Sequence, residues 1–559
     1  MSPAALSGLT LAFALALFVS GRVRHDAVAL LALGLSIALG LVAPADALSG
    51  FADPAVATVA AVLIVGRAVE LSGAPTLIAR RLIPAHAPFA LQLAAVLLVG
   101  ALLSALMNNI AALVITMPIA AEIGRRSGRG AGATLMPLAF ATILGGMTTL
   151  IGTPANLILS SVREERLGAP FGFFAMTPVG GAVAVVGFAY LAFVGWRLLP
   201  GARRERVDRS RPWRVFEVEV ADRLHQPDTT DLARALRKHG TRILTRARER
   251  LLLLSRRPAR ELAERVPLVE DIHPSPHSSE ETVRVVVAHG SFLVGLGHDA
   301  ISAESAGALR VIAAGPRAAR MRRPLAELRI AEGDQLFIRG EPRVIAAFVP
   351  RARLLEIDRQ HGEPPPDLRR MALALGIFLL AVALAVAGLV PLVLAFGGAA
   401  LAIALLRLIP PEELYRSVDW SVIVLLAAMI PVGQSFETSG AAAAVAQWLG
   451  GQLAGGGAFV SLAALCALTL VLSVFLNNVA TAIIMGPLAL DTAALLGLDP
   501  DAALLAVLIG ASSDFLTPIG HQNNLLVMGP GGYRFTDYAR MGAPLVALVV
   551  LVTAALLAG

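Results

Sequence analysis

SALMNNIAALVITMPIA (Ser104 to Ala120) and SVFLNNVATAIIMGPLA (Ser473 to Ala489) are two copies of one motif. Each sets an amide pair, Asn108-Asn109 or Asn477-Asn478, inside apolar sequence with a serine upstream, Ser104 or Ser473. Each is followed by a Thr-Pro break, in IGTPANL (Ile151 to Leu157) and in LTPIGHQNNL (Leu516 to Leu525). Polar side chains and broken helices are costly at membrane depth. Duplicated halves that carry them are how many secondary transporters enclose a substrate near the midplane. The motif pair therefore predicts a polytopic α-helical membrane protein made of two repeats, with transport as its leading function class.

Composition agrees. With 559 residues, 56% hydrophobic and 16% charged, and a mean hydropathy of +0.72, the chain is too apolar for a soluble globular protein. Several apolar runs approach the length of a bilayer span, among them Met371 to Leu389 and Ala502 to Met528. The first run, Leu6 to Val19, has no basic stretch at its start and reads as a transmembrane helix, not a cleaved signal peptide. A pI near 10.5 would suggest nucleic acid in a soluble protein. Here arginine gathers in loops between apolar runs, as cytoplasmic loops require, and no nucleic-acid partner is expected. The single cysteine, Cys466, excludes an intrachain disulfide.

Charge density divides the chain into membrane repeat 1 (1–200), a polar insert (201–368) and membrane repeat 2 (369–559). The insert opens on Arg203, Arg204, Arg206, Arg209 and Arg211 and closes on the stiff Gly362-Glu363-Pro364-Pro365-Pro366. DPAVATVAAVLIVGRAVELSGA (Asp53 to Ala74) aligns with DWSVIVLLAAMIPVGQSFETSGA (Asp419 to Ala441), so the repeats extend beyond the opening motif. Placing the arginine-rich loops on one side predicts ten spanning helices and two re-entrant helical hairpins, about 88–124 and about 459–495. The Asp53 and Asp419 helices then run in opposite directions, so the repeats are inverted. Broken helices fall at about 131–162 and about 502–529, and Arg163 and Arg166 end on the wrong side for the charge rule.

At a hairpin tip the backbone turns and frees carbonyls and amides. Carbonyl and Asn oxygens suit a hard monovalent cation, while helix N-termini offer N–H groups to an anion. Asn108, Asn109, Asn477 and Asn478 are therefore candidates for both, with Ser104 and Ser473 adding oxygens. The alternative is that the amides bond neighbouring helices. In the breaks, proline removes a donor and glycine frees the backbone, so Thr153, Thr517 and Pro518 sit beside exposed carbonyls. Asp514 and His521 flank the second break and are candidates for proton coupling or a substrate contact; local backbone bonding is the alternative for Asp514, and a place at the cytoplasmic mouth for His521.

These segments resemble the divalent-anion/sodium symporter family of the ion-transporter superfamily. The tips look like its Ser-Asn-Thr signature, with Asn in place of its Ser and with Ile110 and Val479 in place of its Thr. GTPAN and TPIGHQNNLLVMGPGGYRFTDY look like its broken-helix segments. The resemblance implies sodium-coupled symport of sulfate or a dicarboxylate by an elevator motion, a homodimer, and a multi-pass protein of a cell membrane, expected to be a bacterial inner membrane. Carried over by motif, sodium would be held by Ser104, Asn108, Asn109 and Gly152 in repeat 1, and by Ser473, Asn477, Asn478 and Leu516 in repeat 2. Substrate would meet Asn108, Asn109, Thr153, Asn477, Asn478, Thr517 and Pro518. Within the insert, Ser291 to Phe348 resembles a TrkA C-terminal (TrkA-C) regulatory module, expected over about 283–350. Such modules bind small ligands or dimerise. Residues 215–255, with ALRKHGTRILTRARERL, are the candidate for a degenerate second copy. Two other functions compete: an antiporter or exporter of the same superfamily using Asp514 and His521, and a membrane anion sensor. No phosphate-binding glycine loop or catalytic constellation is present, so neither ATP-driven transport nor an enzyme is expected.

Overall fold

The computed structural model describes residues 2–20, 23–84, 87–199, 214–220, 229–247, 250–266, 269–271, 280–288, 290–321, 325–356, 367–453 and 455–559. The arginine run Arg203 to Arg211 and the Pro364–Pro366 linker lie outside the described residues.

Repeat 1 begins with α1 (Pro3–Ser20), α2 (His25–Ala38) and α3 (Pro54–Leu71), then the short α4 (Ala74–Leu82). A hairpin follows, α5 (Phe89–Leu106) and α6 (Asn109–Arg126), then the broken helix α7 (Leu135–Gly146) and α8 (Pro154–Leu167), closed by α9 (Thr177–Phe193). Repeat 2 runs α15 (Leu368–Val386), α16 (Leu392–Leu405), α17 (Pro411–Arg416), α18 (Trp420–Thr438) and α19 (Ala441–Leu453). Its hairpin is α20 (Gly457–Phe475) and α21 (Asn478–Leu496), its broken helix α22 (Pro500–Ala511) and α23 (Gln522–Gly531), and α24 (Phe535–Ala558) closes it. Seven of the described helices are long and apolar enough to cross a membrane.

The same local chemistry shapes both repeats. Asp53 caps α3 by accepting the Ala55 N–H (2.7 Å), and Asp419 caps α18 by accepting that of Ser421 (3.2 Å). Both helices end at a left-handed glycine, Gly73 (φ 76°) and Gly440 (φ 81°). Within each repeat the hairpin packs on its own broken helix, α5 on α7 and α20 on α22. α3 and α18 pack instead on α16 and α2. Two bodies result, one bearing both hairpins and breaks, the other built around α2, α3, α16 and α18.

Arg163 and Arg166 are accounted for by pairing. Arg163 forms a fork with Asp501 (2.7 and 2.9 Å), and Arg166 bonds Asp491 (2.7 Å) and Glu437. Neutralising partners offset the cost that the charge rule assigns to them.

The insert is one antiparallel sheet in the order β2-β3-β1-β6-β7-β5-β8, with β4 paired to β1. Its first half is β1 (Arg214–Val220), α10 (Thr229–Lys238), β2 (Arg242–Ala247), β3 (Arg250–Ser255), α11 (Ala259–Arg265) and β4 (Val269–Asp271). The second is β5 (Glu281–Val287), α12 (Asp299–Glu304), β6 (Leu309–Ala314), α13 (Pro316–Met321), β7 (Gln335–Gly340), α14 (Pro342–Arg351) and β8 (Leu354–Glu356). In each half the first strand pairs with the third and fourth, and the second with the third. Residues 214–271 and 281–356 thus share one topology, joined through β1 and β6.

The insert touches the hairpin-bearing body directly. Its Gly333 turn (φ 76°) lies on α23 so closely that a Cβ there would sit 2.9 Å from the Leu525 carbonyl oxygen. A Cβ on Gly529 would meet the Gly333 carbonyl oxygen at 2.6 Å. Only glycine fits on either side of this contact.

Candidate functional site

Each hairpin turns on an extended residue, Met107 (φ −147°, ψ 173°) or Leu476 (φ −96°, ψ 170°). The two asparagines that follow have different duties. Asn108 caps α6, its Oδ1 accepting the Ile110 N–H at 2.9 Å, and Asn477 caps α21 by accepting that of Ala480 at 2.7 Å. Asn109 and Asn478 instead turn back toward the upstream serines. Ser104 Oγ donates to Asn109 Oδ1 at 2.5 Å, and Ser473 Oγ lies 3.5 Å from Asn478 Oδ1 while donating to the Ala511 carbonyl at 2.7 Å. Asn109 is buried and Asn108 exposed, whereas Asn477 and Asn478 are both half-buried.

The breaks are held by two asparagines outside the expected set. Asn156 Nδ2 donates to the carbonyls of Gly146 (3.0 Å) and Thr149 (2.8 Å). Asn524 Nδ2 donates to those of Asp514 (2.6 Å) and Thr517 (3.1 Å). In both cases the acceptors lie ten and seven residues upstream. This register pairs GTPAN (Gly152–Asn156) with GHQNN (Gly520–Asn524) and corrects the Thr-Pro alignment. The structural counterparts of Thr153 and Pro154 are His521 and Gln522. Thr517 and Pro518 lie within the loop itself, where Thr517 Oγ1 accepts the Gly520 N–H at 3.2 Å and Pro518 is buried. Thr153 is buried and donates to Asn156 Oδ1 at 3.0 Å. Gly152 passes so close to Gly146 that a Cβ would lie 2.3 Å from the Gly146 carbonyl oxygen. Leu516 is half-buried.

The start of α23 joins the repeats. Asn523 Nδ2 donates to the Asn109 carbonyl (3.0 Å) and to Thr142 Oγ1 (2.8 Å). His521 Nδ1 accepts the Asn523 N–H (3.1 Å), capping α23, and its Nε2 lies 3.3 Å from Asn109 Nδ2. A neutral ring with Nδ1 accepting carries its proton on Nε2, so two donors face each other. The Asn109 oxygen is held by Ser104, so the ring and the amide NH2 are in contact without a hydrogen bond between them. Asp514 is fully buried, and neither carboxylate oxygen has a hydrogen-bond partner among the described residues. The hydroxyl of Ser473 and the amide of Asn478 lie beside it.

The family model described as a citrate transporter, CitMHS, matches residues 15–510 and 452–558, nearly the whole chain. The chain belongs to the citrate transporter family. The ion-transporter superfamily expected from the motifs holds, with the citrate transporters as the matched branch. An uncharacterized transporter of Synechocystis is 31% identical over 98% of this chain and 95% of its own. The uncharacterized transporter YfbS of Escherichia coli is 27% identical over 97% of this chain and 96% of its own. Sodium/sulfate cotransporter 1 of Chlamydomonas reinhardtii is 32% identical, over 24% of this chain and 15% of its own. The protein is a membrane transporter and not an enzyme.

In this citrate transporter family member an open cleft lies where the two bodies meet. Asp53, Ser161, Glu165, Arg166, Gln434 and Glu437 line it. Gln434 Nε2 of α18 donates to Glu165 of α8 at 3.2 Å, and Ser161 Oγ lies 3.3 Å from Asp53 of α3. Glu437 therefore has a bonding role across the bodies through Arg166, whereas Glu70, its repeat counterpart, pairs with Arg67 of its own helix (2.9 Å).

The sequence overlooked Asn156, Asn523 and Asn524 as organisers of the breaks. The available signal was the shared Gly-x-x-x-Asn spacing of GTPAN and GHQNN.

Proposed function

We propose that this transporter is a sodium-coupled symporter of a small divalent anion, sulfate or a di- or tricarboxylate, moved by an elevator displacement of the hairpin-bearing body. The observation that carries this reading is the repetition of one Ser-Asn pair, Ser104–Asn109 and Ser473–Asn478, at both hairpin tips. The anion would be met by Asn109 and Asn478 and by the N-termini of α8 and α23, whose first N–H groups favour negative charge. Hydroxyl and amide oxygens beside them fit a hard cation, so Ser104 and Asn109, with Ser473 and Asn478, would hold sodium. Bound sodium would supply positive charge next to the anion, and binding of the two would be mutually reinforcing. Asn108 and Asn477 fix the tips as helix caps. Thr153 braces the first break through Asn156, and Thr517 the second through Gly520. The relationship to a sodium/sulfate cotransporter supports the choice of ion and anion, and the family description supports carboxylates.

In the same reading the protein is a homodimer. The insert is a cytoplasmic regulatory unit of the TrkA-C kind, whose own small ligand would act through α23. Uptake of labelled sulfate, citrate and succinate into proteoliposomes, with and without a sodium gradient, tests the assignment. Sodium-dependent accumulation of one of them is expected. Uptake of all three indifferent to sodium would remove the symport reading.

A further inference from the structure

We propose that Asp514 is itself a sodium ligand, so that the repeat 2 tip holds an ion-paired cation for which repeat 1 has no counterpart. This rests on the sodium-coupled reading and deepens it by making the two tips chemically unequal.

The register of the breaks makes the comparison. Gly146 and Asp514 both present their carbonyls to the clasping asparagine ten residues on. They are equivalent positions in the two repeats. At Gly146 there is no room for a side chain, because a Cβ would lie 2.5 Å from Asn109 Oδ1. At Asp514 a side chain is present, fully buried, and next to Ser473 and Asn478, the counterparts of Ser104 and Asn109. The same direction that is blocked by the amide in repeat 1 carries a carboxylate in repeat 2.

That carboxylate has no cationic partner among the described residues. Both of its oxygens are without a hydrogen-bond partner among the described residues. The Ala511 carbonyl accepts a hydrogen bond of 2.7 Å from Ser473 Oγ. Asn478 Oδ1 lies 3.5 Å from that oxygen. Carboxylate, hydroxyl and amide groups thus gather between α20, α21 and the second break with no cationic side chain among them, surroundings that suit a hard cation. A buried carboxylate in such a place is costly until a cation joins it.

The imbalance extends to the neighbours. Buried side-chain oxygens of Thr481, Ser512, Asn523 and Asn524 also lack partners, whereas no hairpin or break residue of repeat 1 has one among the described residues. Around Asn109 the contacting ring is His521, a donor through Nε2 and not an acid. Gly520 brings its backbone close to the carboxylate: a Cβ there would lie 3.3 Å from Asp514 Oδ1.

The test measures sodium binding to the purified full-length protein without any anion, by radioactive sodium and by the rise in Tm that sodium produces. Wild type, Asp514→Asn and Asp514→Gly, which copies repeat 1, are compared in sodium chloride and in choline chloride. Loss of the carboxylate is expected to weaken sodium binding by about tenfold or more. It should also remove most of the sodium-induced rise in Tm, since only a ligand that binds the folded state stabilises it. In choline the Asp514→Asn protein should melt above wild type, because the unpaired charge is gone, and in saturating sodium below it. This crossing is what a merely structural aspartate would not give. Wild-type sodium affinity in both variants overturns the inference and leaves sodium symport standing. Absence of sodium binding by the wild type overturns the sodium reading itself. If Asp514→Asn fails to fold, the affinity of Asp514→Gly decides.

Discussion

Asn156 and Asn524 make the same pair of hydrogen bonds in the two repeats, each closing its break by gripping the carbonyls ten and seven residues upstream. Both are fully buried. Replacing either by alanine leaves two carbonyls in a dry interior without a donor, at a cost of about 1–3 kcal/mol for each group. Asn156→Ala and Asn524→Ala are each expected to lower Tm by several degrees in detergent. Aspartate at either position, similar in size but without the donor, should do the same; a wild-type Tm for both aspartate variants would refute the clasp.

The proposed movement of the two bodies is open to test at the cleft. Glu165 and Gln434 touch across it, and Cys466, the single cysteine of the sequence, is buried. A Glu165→Cys, Gln434→Cys protein bridged by a short bifunctional thiol reagent should lose transport, while either single variant keeps it. Unimpaired transport by the bridged protein would exclude displacement of α8 past α18.

His521 has separable roles on its two ring nitrogens. Asparagine can replace the Nδ1 cap of α23 but does not reach Asn109; glutamine reaches further and loses the cap. Loss of an N-cap costs about 0.5–2 kcal/mol. His521→Gln is therefore expected to lower Tm more than His521→Asn. Asparagine should perturb anion affinity without matching that loss of stability. Equal Tm values in the two variants would show that the cap is not what His521 contributes.

The Gly333 turn predicts a regulatory lesion with little loss of fold. Alanine there meets the Leu525 carbonyl and must also adopt a left-handed backbone, which costs roughly 1–2 kcal/mol for a residue with a Cβ. Gly333→Ala should free the insert from α23, seen as faster hydrogen exchange at both 331–334 and 522–531. Transport rate should change while sodium affinity without anion stays near wild type. Unchanged exchange at α23 would sever the proposed connection.

Among the described residues of the insert, His298 has an imidazole displaced from its ordinary range. Burial holds the His298 imidazole below the usual histidine range, opposed in part by its Nδ1 bond to the Leu328 carbonyl (2.9 Å). The folded state therefore resists protonation more than the unfolded state does. The contribution is whole above the ordinary pKa of about 6.5 and is lost as pH falls toward the depressed value. Limited proteolysis of the insert should accelerate between about pH 7.5 and pH 5.5. His298→Gln, digested alongside, should show a smaller acceleration; equal acceleration would remove His298 as its source.

The hairpins were legible because an amide pair inside an apolar run has few other uses. The expected 88–124 and 459–495 became Phe89–Arg126 and Gly457–Leu496. Which asparagine of each pair caps its helix and which turns back to the upstream serine was not legible, since adjacent residues share composition and differ only in the direction their side chains take from the tip. The Thr-Pro dipeptide misled for a related reason. Pro154 opens α8, whereas Pro518 lies in the longer second loop, and proline satisfies either setting because it needs no donor. The duplicated topology of the insert was hidden by divergence. Strand pairing constrains the alternation of side chains across a sheet more than their identity, so ALRKHGTRILTRARERL need not look like its counterpart.

Between the Gly333 turn and the Asn109 tip stands a single rod. α23 runs from Gln522 to Gly531, about 15 Å at 1.5 Å per residue. Asn523 at one end holds the first hairpin, and Gly529 near the other bears on the insert. A helix this short does not bend appreciably under a push at one end; it shifts as a piece. Sub-ångström travel imposed by the insert would arrive at Asn109 almost undiminished, and the site would register it as a change in bond length, with no wire of intervening side chains required.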